Sequence, residues 1–356
     1  MKLLSWIVVL FLFFSPMMKT SAQEVLHAGR SYRSLAMGNT GVASANDSAA
    51  LFYNPAVLAN VKGWWLDYAA WTVEFSDGLS LAEVGLPLID TNFPYISRNG
   101  LADIQKDSFL AQTNPYIRGS AGATLTANIM AEGWTVAGSY MIETIITTTD
   151  NGARIYQRDD LIQKVGMSIP LGLGQIVIGA SQATITRRVA DDASTDTIPN
   201  WSDRYDGTGY DIGILYRMAN KAKITWGLVA YNYGGITYGD SGLEDAASYA
   251  FGVSTTQEFG IFKLVIAADV REISSTAAKT NTIHAGMEVG MFPNSTGGSY
   301  LSYRVGSNQG YTTQGLELNW FNHSLVIGYA LYSEEIGEGT EQLESKRTVY
   351  YISFGF

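Results

Sequence analysis

The sequence has no cysteine. Disulfide staples, thiolate metal sites and a lipid-modified N-terminal cysteine are thereby excluded. Histidine is almost as scarce: His27, His284 and His323 are the only ones, and they lie far apart along the chain. No HExxH, GxSxG or phosphate-loop pattern occurs, so the common signatures of zinc hydrolases, serine hydrolases and nucleotide-driven enzymes are missing. Charged residues make up only 16% of the chain, against about 25% in an average protein. The formal net charge is −10, which disfavours a nucleic-acid partner. After residue 22 no stretch supplies the ~18 consecutive apolar residues of a membrane helix.

In place of these the chain carries glycine, tyrosine and alternation. There are 37 Gly and 21 Tyr, and aromatic residues reach 12%. This composition suits β-hairpins with one wet and one greasy face. The first 22 residues stand apart. Lys2, the apolar run Leu3 to Phe14 and the small residues Thr20, Ser21 and Ala22 have the layout of a secretory signal peptide. The run is short for a membrane-spanning anchor, the alternative reading. The mature chain is expected to begin at Gln23.

From Gly63 onward the dominant period is two. In "DIGILYR", Ile212, Ile214 and Tyr216 share one face and Asp211, Gly213 and Arg217 the other. In "TTQGLELNWF", Leu316, Leu318 and Trp320 oppose Gly315, Glu317 and Asn319. Fourteen strands are expected, over 63–75, 116–130, 133–148, 154–169, 174–190, 204–218, 223–237, 245–258, 261–274, 279–292, 297–308, 311–321, 323–334 and 346–356. Many suffice to cross a tilted bilayer, which takes about 9–11 residues. Connections alternate between short turns, as at 219–223 and 259–260, and longer polar loops near 76–115, 191–203, 238–244 and 335–345. Short periplasmic turns and longer outer loops mark outer-membrane barrels. The chain stops within a strand pattern, "VYYISFGF", where Tyr350, Ile352, Phe354 and Phe356 share a face. An open edge there would invite aggregation. A strand paired on both sides with one face in lipid removes the problem. A secreted β-sandwich or soluble barrel also alternates, but hides its apolar face inside.

The fold class expected is therefore all-β: a 14-stranded antiparallel transmembrane β-barrel with an N-terminal plug or hatch segment. Residues 1–22 form the signal peptide, 23–62 the hatch and 63–356 the barrel. Gly179, Gly213, Gly227, Gly252, Gly286, Gly315, Gly328 and Gly355 fall on the lumen face. Inward glycine eases curvature or leaves room for a close approach.

Residues 24–62 are rich in Ala, Gly, Ser and Asn and lack sustained alternation. In "LAMGNTGVASANDSAALFYNPAVLAN", the residues Ala36-Met37-Gly38, Asp47, Ala49 and Tyr53-Asn54-Pro55-Ala56 resemble the N-terminal motif of the FadL-like outer-membrane proteins. That family includes long-chain fatty-acid and hydrocarbon transporters and related PorV-type and TraF-like barrels. The resemblance implies a bacterial outer-membrane location, a barrel plugged by its N-terminal segment, and a hydrophobic ligand released sideways through the wall. By motif, Asn54, Pro55 and Ala56 correspond to the hatch. The terminal aromatic strand would be the signal read by the barrel-assembly machinery. The outer loops are modest except for 76–115, and "LAMGNTG" is nearer to the PorV-type and TraF-like branches.

Loop 76–115 is apolar for a solvated loop. It offers Leu86, Phe93 and Tyr95 as ligand candidates, either as an outer cap receiving ligand or as a lid packed on the barrel rim. Among inward charges, Glu288, Arg304 and Glu317 sit on adjacent strands, with His284 nearby, and are expected to form a lumen ionic network. Arg187, Asp211, Arg217, Lys263, Asp269 and Arg271 are candidates to extend it. Charges are costly on the lipid face and belong in the lumen. The acidic stretch holding Glu334, Glu335, Glu338, Glu341 and Glu344 reads as a solvated outer loop, with divalent-cation bridging to lipopolysaccharide as the alternative. No cofactor is implied, and no metal site has enough fixed ligands.

The leading functional expectation is a porin-like channel for passive uptake of small hydrophobic molecules of fatty-acid or hydrocarbon type. Its partners would be outer-membrane lipid, lipopolysaccharide and the ligand. The alternative is a PorV-type barrel that binds secretion-system protein partners. An enzyme is the least favoured class, since His284 near Glu288 has no nucleophile fixed beside it.

Overall fold

The computed structural model describes residues 27–80, 109, 110, 112, 114–130, 133–149, 154–172, 174–193, 201–273, 282–294, 297–336 and 343–355. The expected signal peptide, Leu86, Phe93, Tyr95, Glu338, Glu341 and Phe356 lie outside these residues.

Alternation produces the wall. Its strands are β1 (Trp64–Ser76), β2 (Tyr116–Asn128), β3 (Thr135–Thr149), β4 (Arg154–Leu171), β5 (Ile176–Ala193), β6 (Tyr205–Arg217) and β7 (Ile224–Tyr231). After a two-stranded excursion, β8 (Ile236–Thr237) and β9 (Glu244–Asp245), come β10 (Ser248–Phe259), β11 (Phe262–Ile273), β12 (Ile283–Pro293) and β13 (Ser299–Asn308). The wall ends with β14 (Tyr311–Trp320), β15 (Leu325–Glu335) and β16 (Glu344–Gly355). Fourteen strands form a closed antiparallel barrel in chain order, with β7 beside β10 and β16 back on β1. Closure runs from Asp67 opposite Gly355 to Ser76 opposite Arg347. The last strand therefore has partners on both sides, and no edge remains.

The lumen and outer faces follow the sequence period. On β6, Tyr210, Ile212, Ile214 and Tyr216 are exposed while Asp211 and Leu215 are buried. The same holds on β14, where Leu316, Leu318 and Trp320 point out and Glu317 and Asn319 in. A continuous apolar exterior around a polar interior is wrong for water and right for hydrocarbon. Trp64, Trp320, Phe321 and Phe292 are exposed near the short-turn end, where a girdle of aromatic rings marks a membrane interface.

Two expectations need correction. The strand expected over 223–237 leaves the wall at Tyr231. Asn232, Gly234 and Gly235 have φ of 46°, 86° and 79°, and these left-handed residues turn the chain away from the sheet. Glu334 and Glu335 are not solvated: they end β15, are buried, and bond Asn308 Nδ2 and Tyr311 Oη. The described part of loop 76–115 does not cap the lumen. Leu79, Phe109 and Leu110 pack with Phe75, Ile117, Ile142, Ile146 and Ile155, whose alternation places them on the outside of the wall. These described residues of the loop fit the rim-packing reading.

The N-terminal segment precedes β1 and contains the short helices α1 (Tyr32–Ala36) and α2 (Ala50–Tyr53) and a 3₁₀ turn over Pro55–Asn60. Ser31 caps α1, its hydroxyl accepting the Ser34 N–H. Asn54 caps the 3₁₀ turn, its Oδ1 accepting the Ala56 N–H at 3.0 Å. Pro55 stands where no donor is needed.

Candidate functional site

The N-terminal segment lies against the inward face of the wall, and small residues make the fit. A Cβ built at Gly328 would stand 2.3 Å from the Tyr32 ring. At Gly315 it would meet Ala36 Cβ at 2.5 Å, and at Gly286 the Met37 carbonyl oxygen at 2.2 Å. At Gly227 the obstacle is the Val42 carbonyl oxygen at 2.4 Å, at Gly213 Asn54 Oδ1 at 1.8 Å, and at Gly179 the Ala56 nitrogen at 2.3 Å. As the segment advances from Tyr32 to Ala56, its contacts move back through β15, β14, β12, β7, β6 and β5. The glycines leave a track for a backbone wound around the inside of the barrel. Gly355 is the exception, facing the Leu66 carbonyl of β1.

Polar anchors hold the segment to the wall. Asp269 Oδ2 accepts the N–H groups of Gly41 and Val42 at 2.7 and 3.0 Å. Thr313 Oγ1 accepts from the Gly38 N–H and donates to the Ala36 carbonyl, both at 2.9 Å. Within the segment, Asn54 Nδ2 donates to the Val42 carbonyl at 2.8 Å. Pro55 and Ala56 are buried beside it. Arg271 Nη1 donates to the Asn39 carbonyl at 3.0 Å. These bonds satisfy a buried irregular backbone, which would otherwise carry a desolvation penalty.

Glu288, Arg304 and Glu317 come together as their register suggests. Arg304 Nε donates to Glu288 Oε2 at 2.7 Å, and its Nη2 to Glu317 Oε2 at 2.6 Å. The segment completes the cluster. Arg33 Nε reaches the same Glu288 oxygen at 2.9 Å, and the Tyr32 hydroxyl donates to Glu317 Oε2 at 2.5 Å. His284 does not join: its Nδ1–H donates to the Gly38 carbonyl at 3.0 Å. The six proposed extensions do not form one network either. Asp211 pairs with Lys164, Arg217 bonds Asn60, Lys263 bonds the Gly297 carbonyl, and Asp269 and Arg271 hold backbone. Arg33 was missed because its segment has no periodicity to assign it a face. Its one clue was a cation within a run of small residues.

Two further charged groups fill the long-loop end. Glu74 bonds the Tyr332 hydroxyl and faces Arg347 at 3.6 Å and Arg30 at 3.8 Å. Arg187 pairs with Asp160 at 2.8 Å and with Asp245 at 2.8 Å. Toward the other end a cavity of about 100 Å³, lined by polar groups such as Ser31, Asp47 and Asn319 and by rings such as Trp65 and Phe52, opens beneath the segment. It has room for a few waters but not for a drug-sized ligand.

An apolar cluster lies between β3–β6 and the segment. Ile162 and Ile185 of the wall pack with Ile236 and Tyr238, and Phe52, Ala28, Met141 and Ala183 border them. Ile236 and Tyr238 come from the connection carrying β8 and β9, which folds into the lumen.

No protein-family model matches the sequence, and no curated protein matches it. Solved structures do match. The toluene transporter TbuX of Ralstonia pickettii superposes with a TM-score of 0.55 at 12% identity, over 90% of this chain and 96% of that one. The toluene transporter TodX of P. putida gives 0.50 at 11% identity, over 93% of this chain and 99% of that one. At such identities the likeness is one of fold. The chain shares the fold of these two transporter barrels, a closed fourteen-stranded antiparallel β-barrel.

Proposed function

We propose that the protein is an outer-membrane channel for passive uptake of small hydrophobic molecules, and that residues 23–62 are its plug. The observation that carries this reading is the N-terminal segment seated in the lumen of a closed barrel whose fold is shared with two toluene transporters. An open water-filled pore serves polar solutes and offers nothing to a greasy one. A plugged barrel with an apolar cluster above the plug offers an apolar molecule a place to leave water. Asn54, Pro55 and Ala56 are the plug's footing on β5 and β6. Glu288, Arg304 and Glu317 lock it electrostatically, and His284 holds its Gly38 carbonyl. In this reading the short turns face the periplasm, lipopolysaccharide surrounds the long-loop end, and the last strand is the element read by the barrel-assembly machinery.

The test is uptake of radiolabelled toluene by intact cells whose lipopolysaccharide-bearing outer membrane carries or lacks the protein, with native mass spectrometry of molecules co-purifying with it. Faster uptake by cells that carry the protein is expected. Equal uptake would overturn the reading.

A second reading, a barrel that binds protein partners in secretion, is favoured by one feature. The described lumen holds many ion pairs, and the apolar cluster of Phe75, Ile117, Ile142 and Ile146 lies on the exterior. A stoichiometric protein partner co-purifying with a ligand-free barrel would support it.

A further inference from the structure

We propose that the connection 232–247 is a lid whose own side chains, Ile236 and Tyr238, occupy the pocket that a small aromatic hydrocarbon takes when the lid swings out. This rests on the channel reading and adds the binding site, the ligand class and the gate.

The pocket is made by the wall and the plug. Ile162 and Ile185 form one side, Phe52 and Met141 border it, and Gly207 and Gly209 form the back. Ile236 and Tyr238 fill it and are 1% and 0% exposed. A Cβ at Gly207 would stand 2.6 Å from Ile236 Cγ2 and 2.8 Å from the Tyr238 ring. A Cβ at Gly209 would stand 2.5 Å from Ile236 Cδ1. The Tyr238 side chain is itself a substituted benzene, so the slot it fills admits a six-membered aromatic ring.

The polar partner of the ring stays behind when the lid leaves. Arg187 lies over Tyr238, its Cζ 4.3 Å from the ring centroid. Two bonds to Asp160, Nε to Oδ1 at 2.8 Å and Nη2 to Oδ2 at 2.9 Å, fix it from the wall. A guanidinium fixed over an apolar slot attracts the face of an aromatic ring. That selects aromatic over aliphatic molecules of similar size.

The lid is built to leave. Its two strands have two residues each, paired as Ile236 with Asp245 and Thr237 with Glu244, and so short a ribbon has little stability of its own. Its latch is Asp245, which accepts Arg187 Nη1 at 2.8 Å, Arg187 Nη2 at 3.1 Å and the Tyr238 hydroxyl at 2.6 Å. Its hinge is Asn232 to Gly235, where a Cβ at Gly234 would meet nothing within 4 Å.

The protein lacks cysteine, so Ile236→Cys creates a single thiol. The experiment measures its labelling by a water-soluble maleimide in folded, membrane-inserted protein. Labelling should be slow, accelerate with toluene, and accelerate about tenfold or more without toluene when Asp245→Asn is added, since charge-assisted bonds are lost. A second variant combines Gly209→Cys with Ile236→Cys, because Ile236 Cγ1 lies 2.9 Å from the Cβ position at 209. Oxidation should abolish toluene uptake and reduction restore it. If the oxidised form takes up toluene as well as the reduced form, the lid is overturned while the channel reading stands. If labelling ignores both toluene and Asp245→Asn, the lid is overturned as well. If unsubstituted protein takes up no toluene and toluene leaves labelling unchanged, both readings fall.

Discussion

Gly213 makes room for Asn54. A Cβ at position 213 would fall 1.8 Å from Asn54 Oδ1, the atom that accepts the Ala56 N–H and starts the 3₁₀ turn. The wall residue is therefore chosen by a segment far earlier in the chain.

Replacing Gly213 with Val should push the N-terminal segment off the wall. Overpacking of this kind costs about 1–3 kcal/mol. The check is limited trypsin digestion: cleavage at Arg30 and Arg33, both anchored in the native lumen, should become fast while the barrel stays resistant. Gly138→Ala is the control, since its added Cβ finds only Val165 at 4.0 Å.

Asp269→Ala removes the acceptor for the Gly41 and Val42 N–H groups. Leaving a buried donor without a partner costs about 1–3 kcal/mol. Hydrogen exchange at these two amides should rise sharply, with little change at wall amides in β13 and β14. Unchanged protection would mean the carboxylate is not their anchor.

Glu288→Ala removes the carboxylate paired with Arg33 and one of the two paired with Arg304 in the lumen. Breaking a buried pair from one side costs about 3–5 kcal/mol. The temperature at which the folded barrel loses its fast gel migration should fall clearly. A Glu288→Gln variant, which keeps an acceptor but not the charge, should fall between the two.

Lid closure should weaken in acid. Burial alone would push the Asp245 carboxyl up, but the Arg187 charge and its bonds outweigh this and hold it below the usual carboxylate range. A carboxyl depressed in the folded state contributes stability above its unfolded pKa, about 3.9, and loses it as pH falls through the lower folded value. Exchange at Ile236 and Tyr238, corrected for the intrinsic rate, should therefore rise below about pH 4. Asp245→Asn should abolish that dependence.

The seat of the N-terminal segment was legible in part. The motif drew attention to Asn54, Pro55 and Ala56, and the register drew Glu288, Arg304 and Glu317 together, because neighbours on adjacent strands can be paired by counting. Arg33 could not be found that way, since it reaches Glu288 from an irregular segment. The excursion at 232–247 was hidden for a related reason: "GGITY" continues an alternating pattern, and only the left-handed backbone at Asn232, Gly234 and Gly235 breaks the sheet.

What the sequence by itself determined is the strand count, the two faces of the wall and the inward glycines. These follow from a two-residue period, a local property of an extended backbone. What only the tertiary structure decided is which residue meets each glycine, where Arg33 pairs, and that Ile236 and Tyr238 fill a pocket in the lumen. Those contacts join residues tens to hundreds of positions apart, and they exist only once the barrel has closed around its own N-terminal segment.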